Sequence, residues 1–148
     1  MRKLCLLLAS SALVACATSQ TNPQPRLELA RAYLQAGQPE VALQELAVVL
    51  REQPHHATAW QLQGLAHRAL GQPQQAEADF RHAVQYNPQD HDAKHNLGWL
   101  LCEQARPAEG QAWLQQVAAT ATITQQERAR QALARCIQAA PQAATESK

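Results

Sequence analysis

Residues 57–90 read ATAWQLQGLAHRALGQPQQAEADFRHAVQYNPQD. The stretch divides at Gly71-Gln72-Pro73. A glycine can end one helix in the left-handed conformation, and a proline suits the first turn of the next, where no backbone donor is needed. Pro88 then breaks the second helix. Two helices are therefore expected, at 57–70 and 73–86. Sliding the chain by 34 residues brings both flanks into the same register. Gly37, Gly71 and Ala105 coincide, as do Pro39, Pro73 and Pro107, and Pro54 matches Pro88 with Thr122 in the third place.

The same shift aligns the packing residues. Ala30, Gly64 and Gly98 place a small residue in each first helix; Ala42, Ala76 and Gly110 place one in each second helix. Small residues there let paired helices approach closely. Leu46, Phe80 and Leu114 supply the bulk that fills the space between pairs. The spacing predicts repeats at 23–56, 57–90 and 91–124, with the remaining helices at 24–36, 39–52, 91–104 and 107–119.

This pattern resembles the tetratricopeptide repeat. The middle repeat matches it best, through Trp60, Gly64, Gly71, Ala76, Phe80, Ala83 and Pro88. His67 stands where a large aromatic is usual, and Tyr33 fills that place in the first repeat. Thr124-Gln-Gln-Glu127 has the pattern of a capping box opening a seventh helix at about 125–139. Ala129, Ala132, Leu133, Cys136, Ile137 and Ala140 fall on one side of it, and Arg128, Arg130 and Arg135 mark a solvated side. A last helix with one polar face is what a repeat array needs to cap its exposed end. The expected fold class is all-α: a helical solenoid of three helix-turn-helix repeats plus a C-terminal capping helix, over 26–140. Residues 141–148 are expected to be a disordered tail.

The N-terminus reads as an address and an anchor. Arg2 and Lys3 precede an apolar run from Leu4 to Val14, too short to span a bilayer core of ~30 Å as a helix. It ends in Leu13-Val14-Ala15-Cys16, which resembles the lipobox of bacterial lipoproteins. That resemblance implies a signal peptide over 1–15, cleavage before Cys16, and diacylglycerol on the Cys16 thiol. Several acyl chains make a stable anchor. Ala17, in place of Asp, implies sorting to the outer membrane, on its periplasmic face. Residues 16–25, polar and carrying Pro23 and Pro25, read as the lipidated cysteine with a flexible tether.

Net charge is +1 for the whole chain; without Arg2 and Lys3, 11 basic residues face 12 acidic ones. So balanced a surface predicts no nucleic-acid partner. Ala and Gln dominate and aromatic residues are 4% of the chain, which also favours helices.

A stack of helix pairs forms a concave groove that captures a segment of another protein. The repeat resemblance places Leu27, Arg31 and Leu34 of the first repeat on that groove. From the second it adds Gln61, Leu65 and Arg68, and from the third Asp92, His95, Asn96 and Trp99, with Cys102 beyond. Trp and Arg are common interface anchors; the other reading of Trp99 is packing between helices. The Lys, Asn and Arg set with which some family members clamp a C-terminal carboxylate is absent.

Asn96-Leu97-Gly98-Trp99-Leu100-Leu101-Cys102, followed by Glu103-Gln104, resembles a run in type IV pilus biogenesis lipoproteins (the PilF/PilW family). Those proteins also join a lipobox to tetratricopeptide repeats. They are pilotins, which bring the secretin subunit to the outer membrane and help it assemble. The resemblance implies a pilotin-like factor with the pilus secretin as protein partner. The alternative is a general periplasm-facing scaffold of the same repeat class for another envelope complex.

Sharper chemistry is not expected. His91 and His95 are one helical turn apart, but no motif supplies the three or four ligands of a zinc site, and the six histidines read as solvent-facing. No nucleophile motif, phosphate loop or carboxylate pair suggests an enzyme. No cofactor is expected beyond the covalent lipid on Cys16. Cys102 and Cys136 are 34 apart, at equivalent points of successive repeats. Such points lie roughly 10 Å apart, beyond the ~7 Å Cα separation a disulfide tolerates. They are expected as two small buried core residues; a disulfide is the alternative if the capping helix leaves the repeat geometry.

Overall fold

The computed structural model describes residues 22–139. The signal peptide, Cys16, most of the tether and the tail at 141–148 lie outside the described residues. Seven helices and no strand are found among those described. They are α1 (Gln24–Gln35), α2 (Pro39–Glu52), α3 (Ala57–Ala69), α4 (Pro73–Tyr86), α5 (His91–Glu103), α6 (Pro107–Thr120) and α7 (Ile123–Ala139). Each packs on the next, and α1 also meets α3 while α5 meets α7. The fold is the expected all-α solenoid: three helical hairpins and a capping helix.

The three hairpin turns share one geometry. In each, the residue past the helix end has positive φ: 70° at Gly37, 68° at Gly71 and 58° at Ala105. Two backbone bonds close each turn, Gln38 N–H to Tyr33 O with Gly37 to Leu34, Gln72 to His67 with Gly71 to Arg68, and Arg106 to Leu101 with Ala105 to Cys102. This is the double bond of a Schellman ending, which satisfies carbonyls the helix leaves open. Pro39, Pro73 and Pro107 then open α2, α4 and α6. Between hairpins, side chains start the helices: His56 Nδ1 accepts from Ala59 N–H on α3, and Asp90 Oδ1 from Ala93 N–H on α5.

The small residues set helix separation. A Cβ on Gly64 would lie 2.6 Å from the Phe80 ring, so α3 and α4 meet at that point. One on Gly98 would lie 2.9 Å from both Gly110 O and the Leu114 side chain, and α5 meets α6 there. Leu46, Phe80, Leu97, Leu100, Leu101 and Leu114 are at most 1% exposed and run as the spine of the core.

The capping helix departs from its expected placement in two ways. α7 begins at Ile123, so Thr124 lies inside it. Half of a capping box is formed instead by Thr122 and Gln125: Gln125 Oε1 accepts from Thr122 N–H at 3.3 Å and from its hydroxyl at 3.0 Å. The second departure is a disulfide between Cys102 on α5 and Cys136 on α7, with Cα atoms 5.4 Å apart. The expectation of two unpaired core cysteines is thereby overturned. α7 packs against α5 and α6 together, and it does so out of the repeat register, which brings Cys136 closer than a regular stack would.

Among the described residues one charged side chain is buried. Asp79 on α4 is 4% exposed and accepts from Gln63 Nε2 at 3.0 Å, while its other oxygen lies 2.5 Å from His67 Nδ1. Burial raises the Asp79 carboxyl above its ordinary value, against the opposing pull of His67 and Gln63. His67, where an aromatic was the norm, thus exchanges ring packing for a polar tie between α3 and α4.

Candidate functional site

Helices α1, α3, α5 and α7 share one side of the solenoid and line a continuous groove. One part of it, a cleft of about 610 Å³, is bounded by Arg31 and Gln35 of α1, Gln61 and Leu65 of α3, and Asp92 and Asn96 of α5. The other, of about 350 Å³, is bounded by Arg68 of α3, His95, Asn96 and Trp99 of α5, and Gln131 and Arg135 of α7. Asn96 and Arg128 belong to both, so the two parts join at α5 and α7.

Of the residues the repeat register placed on the groove, Arg31, Gln61, Leu65, Arg68, Asp92, His95, Asn96 and Trp99 line it. Leu27 does not: it is 2% exposed and belongs to the core with Ala30, Ala42 and Leu46. Leu34 packs on the same cluster, half-buried. Both sit on the side of α1 that faces α2, where an apolar side chain is worth more buried than offered to water. Cys102 is held in the disulfide, packed against Leu114. Trp99 does both things proposed for it. Its ring packs on the cluster of Leu114, Ala132 and Cys136 and also forms part of the groove wall.

Sequence reasoning missed the contribution of α7. Arg128 and Arg135 were assigned to a solvated side, yet both line the groove, with Gln131 and Ala132. These four positions follow the i, i+3, i+4, i+7 spacing of one helix face, a signal that was present but carried no apolar mark.

Two ion pairs tie groove arginines to a neighbouring helix. Arg68 on α3 makes a two-pronged contact with Glu103 on α5, Nε to Oε2 at 3.1 Å and Nη2 to Oε1 at 2.8 Å. Arg128 on α7 reaches Asp92 on α5 at 3.3 Å. Arg31 pairs with Glu28 one turn away on α1. Among the described residues Arg135 has no ion-pair partner. Burial, with Arg128 and Arg68 nearby, lowers the His95 imidazole below its usual value, Asp92 opposing. His95 is therefore neutral at neutral pH, and its Nδ1 is buried without a hydrogen-bond partner among the described residues.

The histidines are less exposed than the sequence suggested. His82 meets Trp60 at a tilt, ring centres 4.5 Å apart, and stacks at 6.0 Å with Tyr86, which also meets His55. Nδ1 of His82 and of His91 is buried. The half-buried His67 and His82 join α3 to α4. Among the described residues no group of three or more His, Cys, Asp or Glu side chains could hold a metal ion. No described helix is long and apolar enough to cross a membrane.

The family profile described as tetratricopeptide repeat matches residues 9–66 and 67–136. The chain belongs to the tetratricopeptide repeat family. Its curated relatives include FK506-binding protein-like of Mus musculus, 35% identical over 75 residues, and that of Homo sapiens, 33% identical over 75. Those 75 residues are 51% of this chain but only 22% of either relative. Solved tetratricopeptide-type structures superpose well. The crystal structure of PilW, described as a widely conserved type IV pilus biogenesis factor, gives a TM-score of 0.71 at 24% identity, over 77% of this chain and 52% of that one. The MamA protein gives 0.67 at 21% identity, over 80% and 63%. The P58(IPK) tetratricopeptide repeat domain gives 0.69 at 20% identity, over 78% and 33%. At these identities the likeness establishes the fold that the repeat pattern implied. Tetratricopeptide domains mediate protein–protein interactions, and this chain is a scaffold of that kind.

Proposed function

We propose that this chain is a membrane-anchored scaffold whose groove captures a segment of a partner protein, acting as a pilotin-like factor in type IV pilus biogenesis. The groove carries the first part of the reading. It runs across four helices, and its wall combines fixed arginines, amides and the Trp99 ring. The lipobox ending in Cys16 supports the anchor, at the periplasmic face of the outer membrane. The run from Asn96 to Cys102, with the lipobox in the same chain, supports the pilotin role; the likeness to PilW agrees with it, though MamA and P58(IPK) share the fold.

Lipid on Cys16 would confine the domain to the membrane surface, and the groove would raise the local concentration of the secretin subunit there. Deleting the gene tests the role. Loss of detergent-resistant secretin multimers and of surface pili, restored by the wild-type chain, is the expected result. Intact multimers and pili would instead assign the scaffold to another envelope complex. The anchor is tested separately: Cys16→Ala is expected to leave a folded protein that no longer fractionates with membranes.

A further inference from the structure

We propose that the groove selects an acidic segment of its partner, with carboxylates against Arg128 and Arg135 and an apolar or aromatic side chain against Trp99. The inference rests on the reading of the groove as the capture site and names the chemistry of what it captures.

Charge is the first ground. Over its whole length the groove wall carries Arg31, Arg68, Arg128 and Arg135 against a single acidic side chain, Asp92. The chain as a whole is nearly neutral, at +1, so basic residues are concentrated on this surface. The acids that pair with Arg31 and Arg68, Glu28 and Glu103, lie outside the wall.

The second ground is unused donor capacity. A guanidinium has five N–H donors. Arg68 uses Nε and Nη2 on Glu103, and Arg128 uses Nη1 on Asp92. The two-pronged contact fixes the Arg68 guanidinium plane and leaves its other N–H groups to a ligand; Arg128 commits one N–H to Asp92, and Arg135 has no ion-pair partner among the described residues. Pre-positioned arginines bind carboxylate without first being ordered, which favours affinity. Asn96 and Gln131 add amide donors.

The cations are spread from α1 to α7 along a concave wall. That spacing suits several carboxylates strung on one chain; a single small anion would use only part of it, and a flat membrane surface would reach only the rim. The wall's one large ring is Trp99, in the same part of the groove as Arg68, Arg128 and Arg135, so the segment needs an apolar residue among its acids.

The test uses the full chain in mild detergent and three fluorescent peptides of equal length, read by anisotropy. One mixes Asp, Glu and Phe; the second replaces each acid by its amide; the third replaces each acid by Lys. The acidic peptide is expected to bind about tenfold or more tightly than its amide counterpart, with affinity falling as salt rises. Arg135→Gln, at an exposed position, and Arg128→Gln are each expected to weaken it by about tenfold with helicity unchanged. Equal binding of the amide peptide, preference for the Lys peptide, or indifference to both substitutions would overturn the proposal while leaving a peptide-binding groove. Arginine-dependent binding of phosphatidylglycerol vesicles without peptide binding would overturn it in favour of a lipid surface. If no peptide binds, the proposal falls. A photocrosslinker at Asn96 that still captures a protein in cells then preserves the groove reading; one that captures nothing removes that reading too.

Discussion

Gly110 on α6 and Cys102 on α5 are matched: a Cβ on Gly110 would lie 2.5 Å from the Cys102 sulfur, which is bonded to Cys136. The two earlier repeats carry Ala42 and Ala76 at the same place. The third repeat gives up that methyl where the disulfide passes. Two further contacts press on the site, Gly98 O at 2.6 Å and Cys102 N at 3.0 Å. Gly110→Ala would gain up to ~1 kcal/mol of helix propensity but overpack a backbone contact, which costs about 1–3 kcal/mol. Net destabilisation is expected, seen as a lower thermal midpoint by circular dichroism. A rise in the midpoint would show that α5 and α6 separate freely.

The disulfide ties the capping helix to the third repeat across 34 residues. Closing a loop of that order removes roughly 3–4 kcal/mol of unfolded-state entropy. Cys102→Ser with Cys136→Ser is expected to lose stability of that size in urea denaturation. Hydrogen exchange should then speed up in α7 before α1–α4. Equal protection of α7 with and without the bond would contradict the account.

Ala105 holds φ at 58°, where the equivalent turns have Gly37 and Gly71. A left-handed alanine costs about 1–2 kcal/mol, and glycine would return part of that as unfolded-state entropy. Ala105→Gly is expected to stabilise by about 0.5–1 kcal/mol, a midpoint rise of roughly 2–5 °C. No change, or a fall, would mean that the turn relaxes in solution.

Asp79 gives the fold a pH dependence of known sign. Its carboxyl is raised in the folded chain by burial, despite His67 and Gln63. The native state therefore holds the proton more tightly than the unfolded chain. The stabilisation is full below the ordinary carboxylate value and is lost as pH rises through the raised one. Asp79→Asn, which cannot ionise, should gain on the wild type across that window in urea titrations at stepped pH. A wild type that gains on the Asn variant with rising pH would reverse the sign and show that the His67 contact outweighs burial.

The hairpins were legible because Gly and Pro punctuate every repeat. Gly71 and Pro73 mark a positive φ and a helix start by backbone chemistry that tertiary context rarely overrides. The groove residues of α3 and α5 were legible because they share one register. α7 was harder to read because it abandons that register. A shift of 34 would carry the groove positions of α5 to 126, 129, 130 and 133, whereas α7 presents 128, 131, 132 and 135. The same rotation brings Cys136 within bonding distance of Cys102. Arginine on a groove wall also looks like arginine on any wet surface, so composition could not separate Arg128 from Arg130. Leu27 was misplaced because the family register assigns faces by position, and here the core claimed that side chain.

Capture of a protein segment by the groove is the central claim, and site-specific photocrosslinking in the native membrane tests it most directly. A photoreactive residue at Asn96, where the two parts of the groove join, is compared with one at Gln85, exposed on α4 away from it. The account predicts a discrete protein adduct from position 96 and none from 85. Adducts from 85 alone would place the partner on the other side of the solenoid and contradict the groove as the working surface.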